Sequence, residues 1–163
     1  MTEIVDNQTK FYRIQGPLTG MGAVCEPVLR ALAGWFGVER AILQYCQDVE
    51  QLPTWVAWVE DAVPGFVTIK RHKAYAAEIL VIGIRTEYHR MGIGRALVLA
   101  GEQFLKAQSV LLLQVKALSS LRPDDSYARS RAFYFGMGFR PLEELSGYWD
   151  LENPWLQMVK SLA

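Results

Sequence analysis

The stretch Tyr88–Leu97, YHRMGIGRAL, decides the fold. Before it, AAEILVIGIR (Ala76–Arg85) is a mostly apolar extended run, and after it Ile93, Leu97, Ala100 and Phe104 recur on one face of a helix from Gly92 to Ala107. Strand gives way to helix across two glycines, Gly92 and Gly94. A helix start presents N–H groups without intrahelical partners and the positive end of the helix dipole, so anions settle there, and glycine lets a ligand approach the main chain. The pair is not a dinucleotide fingerprint: Leu97 stands where GxGxxG needs its third glycine, and GxxxxGK[ST] is absent. Two readings stay open, a phosphate-bearing ligand held in another way and a tight turn that needs glycine for itself.

Working outward, SVLLLQVKA (109–117) is a largely apolar strand, so strand, helix and strand form a crossover unit. Upstream, TWVAWVED, PGFVTIKRHK and AAEILVIGIR make a meander with a turn over Asp61 to Gly65. Ahead of these, KFYRIQ (Lys10 to Gln15) reads as a first strand, followed by a Gly/Pro-rich loop from Gly16 to Gly22. Two helical patterns then occupy Glu26 to Glu50, one through Val28, Leu29, Leu32 and Phe36, the other through Ile42, Leu43, Cys46 and Val49, separated at Gly37. Downstream, a helix from Tyr127 to Met137 has Asp124, Asp125 and Ser126 as start signals and Gly138 as its stop. FRPLEELSGYW and WLQMVKSLA are closing strands. The order implies an α/β (α+β) fold, a mixed sheet with helices packed on it. No repeat or linker interrupts it, and one domain over 10–163 is expected.

Seventeen basic and seventeen acidic residues in 163 leave no net field to draw nucleic acid or an anionic membrane, so neither is expected as a partner. ILVIGI and ALVLAG are too short to cross a bilayer, and MTEIVDNQTK does not read as a secretory signal, which points to the cytoplasm. Cys25 and Cys46 lack CxxC spacing and sit at apolar helical positions, as small buried thiols do. His72 and His89 are not spaced as zinc ligands, and no metal is expected.

HRMGIGRAL resembles the (Gln/Arg)xxGx(Gly/Ala) acetyl-CoA motif of the GNAT N-acetyltransferase family, with Gly92 and Gly94 in the small-residue positions and His89 where Gln or Arg is usual. AEILVIGIR resembles the family's fourth strand, RAFYFGMGF (Arg131–Phe139) its late (Phe/Leu)YxxxGF signature, and the element order matches over nearly the whole chain. The resemblance implies the GNAT acyl-CoA N-acyltransferase fold, with six to seven mostly antiparallel strands and about four helices. Acetyl-CoA is the implied co-substrate, its diphosphate held by main-chain donors over Met91, Gly92, Ile93, Gly94 and Arg95. Arg90 and Arg95 would screen phosphates or stand as solvated charges. His89 would join this site or be a simple loop residue. Ile82 and Ile84 would contribute main-chain groups to the pantetheine arm, with Gly83 suiting a bulge. Tyr127 stands where members often carry a cofactor-contacting Asn; Ser126 or Ser130 would substitute, unless each is only a cap or surface serine.

The resemblance further implies direct attack of an amine on the thioester, without an acyl-enzyme. An alkylamine with pKa about 10.4 must lose a proton before it attacks, and the leaving thiolate gains from an acid. Tyr134 fits the acid; the alternative is a core aromatic among Phe133, Phe135 and Phe139. Glu78 fits the base, directly or through water, and the alternative is a solvent-facing strand glutamate paired with Lys70 or Arg71. His72 is the reserve base, at a basic strand end. The acceptor is a small-molecule or peptide amine, and Trp35, Phe36, Tyr45, Trp55 and Trp58 are aromatic enough to wall its pocket or simply to fill the core. Dimers are common in the family, so a homodimer is compatible with the sequence. A non-catalytic acyl-CoA-binding module is the competing function.

Overall fold

The computed structural model describes residues 2–4, 11–32, 39–119, 125–146 and 154–163, with 2–4 and 125–127 as backbone. Lys10, Trp35, Phe36, Gly37, Asp124, Gly147, Tyr148 and Trp149 of the stretches above, with the side chains of Asp125, Ser126 and Tyr127, lie outside the described residues. The chain divides into two compact units, Met1–Lys70 with Leu80–Leu105, and Arg71–Ile79 with Lys106–Ala163.

The first unit holds β1 (Thr2–Ile4), β2 (Arg13–Leu18), α1 (Gly22–Ala31), α2 (Glu39–Gln51) and β3 (Thr54–Val59). It also holds most of β4 (Ala62–Lys73), the second half of β5 (Ala76–Ile84) and nearly all of α3 (Ile93–Ala107). Its strands run in the order β1-β2-β3-β4-β5, and the β1–β2, β2–β3 and β3–β4 pairs are antiparallel. Successive side chains of a strand point to opposite faces, so Trp55 and Val56 of β3 serve two layers. Val56 joins Phe66 and Val81 under Cys25, Val28 and Leu29 of α1 and Ile42 and Val49 of α2. On the other face the Trp55 ring meets Phe104 of α3 edge to face, with centroids 5.3 Å apart.

The second unit holds Ala76–Ile79 of β5, β6 (Leu112–Leu118), α4 (Asp125–Gly136), β7 (Arg140–Leu145) and β8 (Trp155–Ser161), in strand order β5-β6-β8-β7. β5 runs parallel to β6, from Ala76↔Leu112 to Ile79↔Val115, as a helical crossover requires. β8 is antiparallel to both β6 and β7. α4 ends where expected: Gly138 adopts φ +96°, and Phe139 N–H reaches back to Tyr134 C=O at 3.0 Å, a left-handed helix stop.

Eight strands and four α-helices among the described residues thus give the mixed, mostly antiparallel α/β arrangement. The expected boundaries differ in three places. β2 runs from Arg13 to Leu18, through the stretch read as a loop: a Cβ on Gly16 would lie 2.5 Å from Trp55 Cδ1, so glycine there lets the strand cross the indole, and the register shifts between Gln15 and Leu18. β4 starts at Ala62, because Glu60 with φ 54° makes the turn and Gly65 lies inside the strand. β1 has only three residues, too few to show alternation.

Candidate active site

In the first unit β5 ends at Ile84, a 3₁₀ turn covers Thr86–Tyr88, and the chain reaches α3 through two left-handed residues, Arg90 (φ 64°) and Gly92 (φ 84°). The α3 ladder begins with Ala96 N–H on Gly92 C=O at 3.0 Å, so the amides before Ala96 lie ahead of the helix's own bonding. His89, Arg90, Met91, Gly92 and Arg95 are exposed, Gly94 is half-buried, and only Ile93 is a core residue. Among the described residues, the only neighbour a Cβ on Gly92 would meet within 4 Å is the Tyr12 hydroxyl, at 3.7 Å. The turn is therefore open to an anion in both space and polarity. His89 reaches back across it, its Nε2 2.8 Å from the Ile84 carbonyl oxygen. Ile82 and Ile84 are half-buried, and Gly83 packs against α1, where a Cβ would lie 3.2 Å from Leu32 and 3.3 Å from Val28.

The second unit contains Glu78, Ser130 and Tyr134. Glu78 is neither solvent-facing nor paired with Lys70 or Arg71: its side chain is 4% exposed, Lys116 Nζ donates to Oε2 at 2.6 Å, and His72 Nε2 lies 3.4 Å from Oε1. Strand register explains the cluster. Glu78 lies beside Gln114 and Lys116 beside Gln157, so these side chains share a face of the sheet. Gln157 completes the row, donating to Gln114 Oε1 at 3.0 Å and accepting from Trp155 Nε1 at 3.2 Å. Arg71, expected as a partner of Glu78, instead binds Gln108 and the Ala74 carbonyl.

Tyr134 is 7% exposed on α4, its ring edge to face with Phe133 and Phe139 at 5.4 and 5.7 Å. Arg131 fastens the helix to the end of β6 through the Leu118 carbonyl at 2.8 Å. Ser130 is half-buried on the same helix. Phe135, by contrast, is half exposed.

The family model described as the acetyltransferase (GNAT) domain matches residues 50–141. The chain belongs to the GNAT acetyltransferase family. Solved structures share the fold. A GNAT-family protein from Desulfovibrio desulfuricans is 16% identical with TM-score 0.81, over 93% of this chain and 99% of that one. Ard1 from Thermoplasma volcanium is 19% identical with TM-score 0.75, over 94% and 99%. An aminoglycoside 6′-N-acetyltransferase complexed with coenzyme A is 14% identical with TM-score 0.71, over 92% and 97%. No curated protein matches the sequence.

In this GNAT chain Cys25 and Cys46 are free thiols on α1 and α2, Cys46 half-buried with its Sγ donating to Glu26 Oε1 at 3.6 Å. Cys25 is fully buried, and burial, with Cys46 nearby, pushes its thiol up to about 12. Burial and then the Glu26 carboxylate raise Cys46 as well. Among the described residues no three His, Cys, Asp or Glu side chains gather as a metal site, and no helix is long and apolar enough to cross a membrane. Sequence reading missed Lys116 as the partner of Glu78. The signal lay in LLLQVKA, where Gln114 and Lys116 interrupt an apolar strand at a spacing of two and so fall on one face.

Proposed function

We propose that the chain is an acetyl-CoA-dependent N-acetyltransferase, one catalytic domain over residues 10–163, acting on a primary amine of a small molecule or peptide in a ternary complex. The observation that carries this reading is the open turn at Gly92, where the backbone is left-handed and the amides ahead of Ala96 precede the α3 hydrogen-bond ladder. The main-chain N–H groups of Met91 to Arg95 would hold the diphosphate, and the exposed Arg90 and Arg95 would add charge beside it. Family membership and the shared fold of a coenzyme A-bound aminoglycoside 6′-N-acetyltransferase support this choice of ligand.

Acetyl-CoA supplies an acyl group activated as a thioester. Ile82 and Ile84 would align the pantetheine arm through main-chain groups; the pairing of β5 with β6 stops at Ile79, well before β5 itself ends. An N–H donor to the developing oxyanion is worth about 3–4 kcal/mol in such a site. Tyr134 would protonate the leaving thiolate: a phenol with pKa about 10 is still protonated at pH 7 and can donate to a thiolate of pKa about 8.5. Ser130 would take the place of the missing Asn, and Glu78 would anchor the basic side of the site.

Calorimetry with acetyl-CoA, followed by a panel of primary amines with a thiol-detecting readout, tests the reading. Saturable binding and amine-dependent CoA release are expected; absence of binding overturns it. Tyr127 in the Asn position favours the second reading, a non-catalytic acyl-CoA-binding module, which binding without release from any amine would establish.

A further inference from the structure

We infer that His72, rather than the carboxylate beside it, takes the proton from the acceptor amine, and that Glu78 is its positioning residue. This rests on the acetyltransferase reading above and adds the identity of the proton acceptor.

Glu78 is badly placed to meet a substrate. Its side chain is 4% exposed, and Lys116 and His72 occupy its two oxygens at 2.6 and 3.4 Å. A base must come within about 2.6–3.2 Å of the nitrogen it deprotonates, or reach it through one water. The His72 side chain is 35% exposed and offers a surface that Glu78 lacks.

The contact also selects the useful form of the ring. A carboxylate oxygen accepts, so the nitrogen facing it, Nε2, carries the hydrogen and Nδ1 keeps its lone pair. This is the base-and-orienter arrangement by which a buried carboxylate holds an imidazole in its reactive tautomer. Lys116 holds the carboxylate from its other side, and the Gln114–Gln157–Trp155 row ties β6, which carries Lys116, to β8. Glu78 from β5 pairs with the ring, Lys116 from β6 holds the same carboxylate, and Lys70, Arg71 and Lys73 are its charged neighbours in sequence along β4, with Arg71 turned to Gln108 and the Ala74 carbonyl. Of these, only Glu78 forms a salt bridge with the ring.

In the transfer, the acceptor ammonium first gives one proton to solvent; the freed lone pair of the amine nitrogen then forms the bond to the acetyl carbon and the carbon–sulfur bond breaks. The thiolate takes the Tyr134 proton, the proton shed by nitrogen passes to Nδ1 of His72, and solvent returns a proton from the imidazolium to the phenolate. The products are the amide and CoA thiol, with the protein unchanged.

Two measurements test this. Two-bond 1H–15N correlation on the wild-type protein above the imidazole titration should show His72 as the Nε2–H tautomer; an Nδ1–H tautomer overturns the proposal. With whichever amine of the panel releases CoA, His72→Gln and His72→Ala should lower kcat/KM by about 10²–10⁴-fold and remove the acidic limb of its pH profile, with acetyl-CoA Kd unchanged. Glu78→Gln should lower kcat and displace that limb, again with Kd unchanged. Activity of His72→Gln within roughly threefold of wild type overturns the assignment, because general-base catalysis is worth far more. If the wild type itself turns over no amine, the acetyltransferase reading is what has failed, and the tautomer measurement decides the His72–Glu78 pairing alone.

Discussion

His89 Nε2 lies 2.8 Å from the main-chain oxygen of Ile84, so one side chain ties the turn before α3 to the end of β5. A carbonyl only accepts, and the facing nitrogen therefore carries the hydrogen. The residue that departs from the family's Gln/Arg pattern thus holds the shape of the turn, and it does so with a donor that Gln also possesses. His89→Ala should raise the acetyl-CoA Kd by about 2- to 12-fold, the value of one hydrogen bond of 0.5–1.5 kcal/mol, and His89→Gln should restore most of it. Titration calorimetry decides; an unchanged Kd in His89→Ala would remove the ring from the turn's architecture.

Gly92 tests the turn itself. At φ 84° any other residue pays about 1–2 kcal/mol of left-handed strain, although space is available, with the Tyr12 hydroxyl 3.7 Å from a new Cβ. Gly92→Ala should therefore stay folded, with Tm lowered by roughly 2–8 °C, and lose at least about tenfold in acetyl-CoA affinity as the amides turn away. Wild-type affinity in a folded variant would show that the anion binds elsewhere.

Strand–glycine–helix patterning around Tyr88–Leu97 was legible in the sequence because the period of hydrophobic residues changes there from two to 3.6, and β6 follows the same signal, whereas α4 was legible from its stop at Gly138 and β7 exposes nearly every residue. Gly16 and Gly65 misled, since their reason is packing across strands: a Cβ at Gly65 would lie 2.6 Å from the Gly83 carbonyl, a contact no local pattern encodes. Long-range partnership hid most of the site. Glu78 and Lys116 are 38 positions apart, and only the parallel register of β5 on β6 brings them together. Tyr134 was legible as a motif and as a packed ring alike, and its observed contacts with Phe133 and Phe139 suit either role.

Tyr134→Phe separates those roles. The ring's packing survives the change, so stability should fall by no more than about 1 kcal/mol, one hydrogen bond's worth. If the hydroxyl protonates the thiolate, kcat should drop by about 10²–10⁴-fold while acetyl-CoA Kd holds. Wild-type kcat would leave Tyr134 a core aromatic.

Gly65→Ala probes the close crossing of β4 and β5. The added methyl would meet main chain, the Gly83 oxygen at 2.6 Å, which cannot rotate away as a side chain can. Forced overpacking of this kind costs about 1–3 kcal/mol, read as a lower urea midpoint with unchanged slope. A neutral result would mean that the two strands part easily at this point.

Cys25 gives the chain an alkaline weakness. Its thiol is pushed from an ordinary 9.0 to about 12, chiefly by burial and secondarily by Cys46. Well below pH 9 folded and unfolded thiols are both protonated and contribute no pH dependence. Between about pH 9 and pH 12 the unfolded thiol sheds its proton while the folded one keeps it, so the unfolded state binds fewer protons and stability falls as pH rises, by up to about 1.4 kcal/mol per unit. The urea midpoint should therefore drop more steeply from pH 8 to pH 10.5 in the wild type than in Cys25→Ala, which starts lower because of its cavity but lacks this titration. Other groups titrate in the same range, and the difference between the two slopes isolates the thiol. Parallel slopes would mean that Cys25 ionises as readily in the folded chain as in the unfolded one, and iodoacetamide at pH 8 would then label it without denaturant.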